Sequence, residues 1–403
     1  MKNKLLLTCL ILPVLMFSQT WTDQNSGITN DLNSVDFVDD NNGWSAGRQG
    51  KIVRTTNAGA SWSEQNSGTT NDLNKVFMVN ASTGYAVGNN GVCVKYNGTS
   101  WSTLTTNTSV NMHGVFFLNA NTGWISGDLG RIMMTTNGGT SWTTQVSNAN
   151  YVNLFYDVYM VSANEGWAVG TSGRVLRYNG TNWNNVTTPA TEDLYSVNFN
   201  NSTNGFMTGI SSAVFRFDGS SWITQNTALP TNDYAINSVF TVNNNLAYAA
   251  TSPGFGGAGM ILKYDGSFWN IDYQYTGIFS EFFDGVTVAP GGRGFVVGAS
   301  GIIKSINSGV ASLNDQNSIV NKISVYPNPF TDKTLIRFVT NASDEFELEV
   351  ADLSGKVFIK EEKKWFYAGD NVIQIDGNTL NNGFYIYTLK STKGNISGKL
   401  IKE

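Results

Sequence analysis

Seven tryptophans, Trp21, Trp62, Trp101, Trp142, Trp183, Trp222 and Trp269, recur along the chain at intervals of about 40 residues. Each closes a unit with the same internal order: a short apolar strand, a turn, a Gly-aromatic strand, a Gly-rich turn, a third strand, a polar turn, then the Trp. A period of that length without helical punctuation predicts an all-β chain built as a seven-bladed β-propeller, with one four-stranded blade per repeat. Low charge (14%) and 42 glycines agree with many short strands joined by polar turns.

Alignment of the units makes the strands explicit. The innermost strand (a) reads Leu32-Asn33-Ser34-Val35-Asp36-Phe37. It is repeated around Val76, Val115, Val158, Val197, Val239 and Val286. Strand b starts at Gly43-Trp44, Gly84-Tyr85, Gly123-Trp124, Gly166-Trp167, Gly205-Phe206 and Gly294-Phe295, and strand d is expected to begin at each ladder Trp. The seventh unit supplies a, b and c but no Trp, whereas the chain opens with an orphan strand-d sequence, Trp21 to Gly27. The expectation is that this N-terminal strand completes the last blade, because the blade would otherwise present an unpaired edge. A Trp at an equivalent place in every blade points to packing between blades, each ring removing roughly 150–250 Å² from water. A sugar-stacking row is the less fitting reading.

The turns Thr55-Thr56-Asn57-Ala58-Gly59-Ala60-Ser61-Trp62 and Thr135 to Trp142 resemble the Asp-box of bacterial-neuraminidase-type repeats, with Asn in place of Asp. The turns ending at Trp101, Trp183, Trp222 and Trp269 are one residue shorter. Over about residues 20–308 the Gly-aromatic-x-x-Gly-x-x-Gly and Thr-x-Asn-x-Gly-x-x-Trp patterns resemble the photosystem II assembly-factor family of seven-bladed propellers. The resemblance implies the blade and, by fold-level analogy only, an assembly role.

The two ends carry addresses. Lys2, Lys4 and the apolar run Leu5–Phe17 read as a secretory signal, residues 1–18, too short to span a bilayer. The propeller is placed at 19–310, a polar linker at 311–321 and a different texture at 322–403. There Val325-Tyr326-Pro327-Asn328-Pro329-Phe330, Asp352-Leu353-Ser354-Gly355-Lys356, Gly383-Phe384-Tyr385-Ile386-Tyr387 and a terminal Lys399 to Glu403 follow one another. This segment resembles the type A C-terminal sorting domain of the type IX (Por) secretion system. The resemblance implies a small immunoglobulin-like β-sandwich, a partner in the type IX machinery, and export through the periplasm of a Gram-negative bacterium. The product would be secreted or held at the outer-membrane surface, with no transmembrane segment after signal removal.

Charge excludes more than it selects. The net charge is −5, acidic groups outnumber basic ones over residues 20–320, and no Lys/Arg stripe supports nucleic-acid binding. Once the signal and Cys9 are removed, Cys93 has no partner within the chain, which excludes an internal disulfide. The single histidine, His113, excludes a His-rich metal site, and no metal or cofactor is expected.

Loops d–a and b–c are expected on one face of the disc, around the channel mouth. There the residue two before each strand-a Val varies while its neighbours repeat: Asn33, Asn74, His113, Tyr156, Tyr195, Asn237 and Asp284. Loop b–c adds Arg48, Asn89 and Asp128, and blades six and seven add Phe255, Tyr273, Tyr275 and Phe279. Such a ring suits a hydroxyl-rich or peptide ligand. The reading is a non-catalytic binding module for a glycan or a surface protein. One alternative is a glycoside hydrolase of the Asp-box class, for which Asp157, Asp284 and Glu281 are the candidate acid and base, although no pair has the expected cleft geometry. The other is an assembly or stability factor for another exported complex. The run Asp39-Asp40-Asn41-Asn42-Gly43 reads as a solvated turn in preference to a calcium loop.

Overall fold

A computed structural model of the chain describes residues 20–146, 153–254, 257–275, 282–307, 320–340, 343–352, 356–391 and 394–403. The signal segment, Phe255, Phe279, Glu281 and most of the linker lie outside the described residues.

The period of the sequence becomes a row of seven four-stranded antiparallel sheets, each in the order a-b-c-d. The first comprises Leu32–Phe37, Gly43–Gly47, Ile52–Thr55 and Ser63–Gln65. The later strands a are Leu73–Asn80, Met112–Phe117, Phe155–Ser162, Leu194–Asn201, Tyr234–Asn243 and Phe283–Val288. Each strand a touches the next, and Phe283–Val288 touches Leu32–Phe37 again. Thr22–Gln24 pairs antiparallel with Ile303–Asn307, Thr22 opposite Ser305 and Gln24 opposite Ile303. The seventh sheet therefore takes its fourth strand from the N-terminal end of the described chain.

The expected start of strand d is off by one in three sheets. Strand d begins at Trp101, Trp183, Trp222 and Trp269, but at the residue after Trp21, Trp62 and Trp142. Trp62 and Trp142 follow the longer turns, and the extra residue is absorbed there. Asn57 Oδ1 accepts from Ser61 N–H (3.0 Å) and Thr55 Oγ1 from Gly59 N–H (2.9 Å), with the same bonds at 135–141. Ala58 and Gly59 both take positive φ (58° and 81°) in the first of these turns, so the turn relies on Gly at one of two left-handed positions.

Each ladder Trp packs across to the preceding sheet. Trp62 meets Phe295 of the seventh sheet, Trp222 meets Trp167, Trp269 meets Phe206 and Trp21 meets Tyr248, at ring separations of 6.4, 5.3, 5.1 and 5.9 Å. Strand b makes room for the aromatic residues. A Cβ on Gly43, Gly123 or Gly205 would overlap the rings of Phe37, Phe117 or Phe199.

The C-terminal unit is a two-sheet β-sandwich. Val320–Tyr326, Lys333–Thr340 and Gly369–Asp376 form one sheet. Val357–Phe366, Asp344–Asp352, Gly383–Ser391 and Gly394–Lys402 form the other. Between them lie Ile336, Phe338, Phe346, Leu348, Val350 and Leu400, all buried. The Pro-Asn-Pro-Phe segment serves the last strand: Asn328 donates to Lys399 O (2.9 Å) and accepts from Ile401 N–H (2.8 Å). Phe330 N–H donates to Ile401 O at 2.9 Å.

Candidate functional site: the channel mouth

The strands a, together with residues of the C-terminal unit such as Asn328, Phe384, Lys399 and Ile401, line a continuous cavity, and the ring of variable residues belongs to its lining. Three recurrent hydrogen bonds tie these strands together, and they decide which ring residues are free to act. In the first, the side chain preceding the strand-a Val accepts from the next strand. Ser34, Ser196 and Ser238 Oγ accept from Val76, Val239 and Val286 N–H at 3.2, 3.3 and 3.2 Å. Asp157 takes this place in the fourth sheet, accepting from Val197 N–H at 3.2 Å. It also accepts from Ser196 Oγ, Val158 N–H and Lys75 Nζ, the last at 3.3 Å from two sheets away. The intervening sheet has Gly114 at this position. With its side chain 5% exposed and four donors on its carboxylate, Asp157 is committed as a clamp.

In the second, the residue after the Val reaches across. Asp36 Oδ2 accepts from Met78 N–H and Asn198 Oδ1 from Thr241 N–H, both at 2.7 Å. Burial pushes the Asp36 carboxyl up to about 6 despite bonds from Met78 and Phe37 N–H and the nearby Lys399 and Lys75.

The third bond divides the ring itself. Asn33 donates to Leu73 O (2.8 Å), Asn74 to Met112 O (2.8 Å) and Asn237 to Phe283 O (3.0 Å). These three amides hold the first residue of the next strand a and are structural. Asn74 donates in addition to Asn89 Oδ1, and Asn237 to Asp284 Oδ1 (3.2 Å). Burial and the neighbouring Asp31 push Asp284 up to about 6, offset in part by Arg48. Arg48 itself is paired with Asp31 at 3.1 Å and stays largely exposed.

On the other side of the ring the amides are replaced by an aromatic arc. His113 and Tyr156 lie 5.5 Å apart between ring centroids, and Tyr156 and Tyr195 lie 4.9 Å apart at 88°. All three are half-buried. His113 Nε2 lies 2.6 Å from Asp128 Oδ1, and Asp128 also accepts from Asn111 at 3.0 Å. No hydrogen bond to a described residue ties either tyrosine hydroxyl into the inter-sheet scaffold. Burial first, then Asp193, Tyr195 and Asp128, push Tyr156 up to about 12. Burial and Asp193 raise Tyr195.

Asp193 was not singled out in the sequence, although the signal was there. The residue before strand a is Asp31, Asp72, Asn111 and Asp193 in four units. Each side chain accepts from the tip of the b–c turn of the preceding sheet: Ser300, Gln49, Asn90 and Ser172 N–H, at 2.8, 2.8, 3.0 and 2.8 Å. Those four tips hold positive φ of 55–58°, a strained conformation for non-Gly residues that the carboxylate or amide helps to hold.

Tyr273 and Tyr275 do not join the arc. Their rings lie 5.0 and 6.0 Å from Lys304 Nζ, which is 3% exposed and paired with Asp23 at 2.5 Å. Tyr273 packs on the core between sheets six and seven. Glu165 pairs with Arg177 at 2.5 Å at an a–b turn, and Arg131 donates to Thr108 at 2.7 Å. Arg174 lies 5.0 Å from the Phe155 ring. Cys93 is fully buried, with its thiol pushed up to about 12. Asp39 caps its own turn through Asn41 and Asn42 N–H (2.8 and 2.7 Å). Among the described residues no group of three or more His, Cys, Asp or Glu is placed to hold a metal, and no helix is long and apolar enough to cross a membrane.

Comparison with known proteins agrees with this architecture. Residues 324–403 match the family model for a secretion system C-terminal sorting domain, and residues 96–179 match that of the photosynthesis system II assembly factor YCF48. No curated protein sequence matches the chain. Among solved structures, YCF48 bound to a D1 peptide aligns at 17% identity and a TM-score of 0.57, covering 72% of this chain and 94% of that one. YCF48 from Cyanidioschyzon merolae aligns at 18% identity and a TM-score of 0.58, covering 71% and 98%. PorZ, an essential surface component of the type-IX secretion system of Porphyromonas gingivalis, aligns at 13% identity and a TM-score of 0.54. That alignment covers 93% of this chain and 59% of PorZ. At these identities the likenesses establish the propeller fold, while the sorting-domain match implies export by type IX secretion to the cell surface or the extracellular space.

Proposed function

We propose that the chain is an exported, non-catalytic binding module. In this reading residues 19–310 form a seven-bladed propeller closed by the Thr22–Gln24 strand, and 322–403 form an immunoglobulin-like sorting domain. The ligand, a glycan or a segment of a surface protein, sits on the d–a and b–c loop face. The observation that carries this is the division of the ring: Asn33, Asn74 and Asn237 are spent on inter-sheet bonds, whereas His113, Tyr156 and Tyr195 form a half-buried arc with no such duty. Half-buried aromatic side chains beside carboxylates at a concave mouth are what a ligand site requires.

A peptide ligand has support from the YCF48 structure, which holds a D1 peptide. The assembly-factor alternative rests on the same likeness. The hydrolase alternative is weakened by the clamping of Asp157 and by the engagement of Asp31, the carboxylate neighbouring Asp284, with Arg48 and Ser300 N–H. A streptogramin B lyase of similar fold (13% identity, TM-score 0.58) is a reminder that propellers can host catalysis.

The test is retention of the full chain on immobilised polysaccharides and on exported proteins from a type IX-competent bacterium, with reducing ends measured in parallel. Retention without release of reducing ends, abolished by Tyr156→Ala with Tyr195→Ala, is the expected result. Release of reducing ends, abolished by Asp284→Asn, would replace the binding module with a hydrolase.

A further inference from the structure

The aromatic arc has a shape and a field that narrow the ligand. A flat sugar ring is best received by one exposed aromatic plane. Here Tyr156 and Tyr195 meet at 88° and His113 is tilted 53° to Tyr156, so the three rings enclose a corner. Corners of aromatic faces suit a compact cation, because each ring presents its negative quadrupole face. The nearby formal charges reinforce this. Asp128 lies against His113 at 2.6 Å, and Asp193 stands at the start of the Tyr195 strand, its Oδ1 held by Ser172 N–H at 2.8 Å. The charged groups that act on the Tyr156 hydroxyl are Asp193 and Asp128, and on Tyr195 it is Asp193. The cations of this side are engaged elsewhere: Lys75 on Asp157, Arg131 on Thr108 and Arg174 over Phe155.

We propose that His113, Tyr156 and Tyr195, with Asp128 and Asp193, form a cage for an alkylammonium group, the side chain of a lysine carried by a polypeptide segment. The inference rests on the binding-module reading and makes it specific. The rings supply faces for the ammonium and its methylene stem, and the two carboxylates supply the charge. Asp193 tolerates a clean test because Asn111, its equivalent two units earlier, makes the same bond to a b–c turn tip through an amide. Asp193→Asn therefore removes charge while keeping the scaffold bond.

The experiment uses the full chain and a fluorescein-labelled Gly-Lys-Gly-Lys-Gly peptide, with the norleucine peptide of equal length as its uncharged counterpart, followed by anisotropy. The expected result is binding of the lysyl peptide only, weakening as salt is raised. Tyr156→Leu should weaken it about tenfold or more, Tyr156→Phe should leave it unchanged, and Asp193→Asn should weaken it several-fold. Equal binding of the norleucine peptide, or an unaltered affinity in Tyr156→Leu and Asp193→Asn, would overturn the cage. Should a polysaccharide or exported protein still be retained through Tyr156 and Tyr195 while the lysyl peptide is ignored, the cage fails and the binding module stands. Loss of every form of retention would sink both.

Discussion

The two halves of the ring occupy equivalent positions of one repeat and do opposite things. Around sheets one, two and six, asparagines at these positions bind the neighbouring backbone and lock the strands. Around sheets three to five the same positions hold His113, Tyr156 and Tyr195, which meet each other. The ladder behind the ring follows this division in part: Trp142 and Trp183, in sheets three and four, are half-buried, whereas Trp222 of sheet five is buried like Trp62, Trp101 and Trp269. A repeat protein can thus assign structure to one arc and recognition to another, because the side chain at a ring position changes while the four-stranded sheet that carries it does not.

The largest expected effect tests whether the amide half is the more tightly packed one. Trp269 is fully buried among Phe206 and Tyr264, and Trp269→Ala should cost about 3–5 kcal/mol. Trp183 is half-buried and leans on Gln145 through its Nε1–H at 2.8 Å; Trp183→Ala should cost about 1–2 kcal/mol. Urea unfolding of the two variants checks the order. Equal losses would mean that the ladder is uniform and the contrast is confined to the rim.

The next effect separates the ring residues themselves. Asn74→Ala deletes donors to Met112 O and Asn89 Oδ1 and leaves a strand-end carbonyl unpaired, a loss of about 1–2 kcal/mol. Tyr156→Phe should move stability by no more than about 0.5 kcal/mol. Thermal melts of both variants decide it: a Tyr156→Phe variant as destabilised as Asn74→Ala would give the aromatic arc a structural duty and remove the reason for placing a ligand there.

Much of this was legible in the sequence, and the reason is repetition. A residue type that recurs at one place in every unit, like the ladder Trp or the Gly of strand b, reports a constraint shared by all the sheets. The varying ring was visible for the complementary reason. What stayed hidden was the split within it, since Asn33 and Tyr156 are both plausible ligand contacts until the carbonyl of Leu73 is seen 2.8 Å from one of them. Tyr273 and Tyr275 misled for a related reason: a loop aromatic reads as a contact residue, but Lys304, brought in from the seventh sheet, turns both rings toward it. The Lys75–Asp157 pair joins residues 82 apart, a separation of two units that no local pattern encodes.

The smallest effect compares one bond made with a charge and without. Asp36 in the amide half and Asn198 in the aromatic half hold the next strand at the same length, 2.7 Å. Burial raises the Asp36 carboxyl from 3.8 to about 6, so between those values the folded chain keeps a proton that the unfolded chain has released. Stability contributed at this site is therefore greatest in acid, falls as pH rises from about 4 to 6, and is flat above. Asp36→Asn should remove that slope and stabilise the protein at pH 7. Because Asp36 is half-buried and the variant loses the second bond to Phe37 N–H, the gain is held to about 1 kcal/mol, well below what the full shift would give. Chemical unfolding of both proteins at pH 4.5 and 7 should show a gap that widens with pH. A variant less stable than wild type at pH 7 would mean that the negative charge strengthens the bond to Met78 by more than its burial costs. The carboxylate of sheet one would then be a stronger clamp than the amide of sheet five.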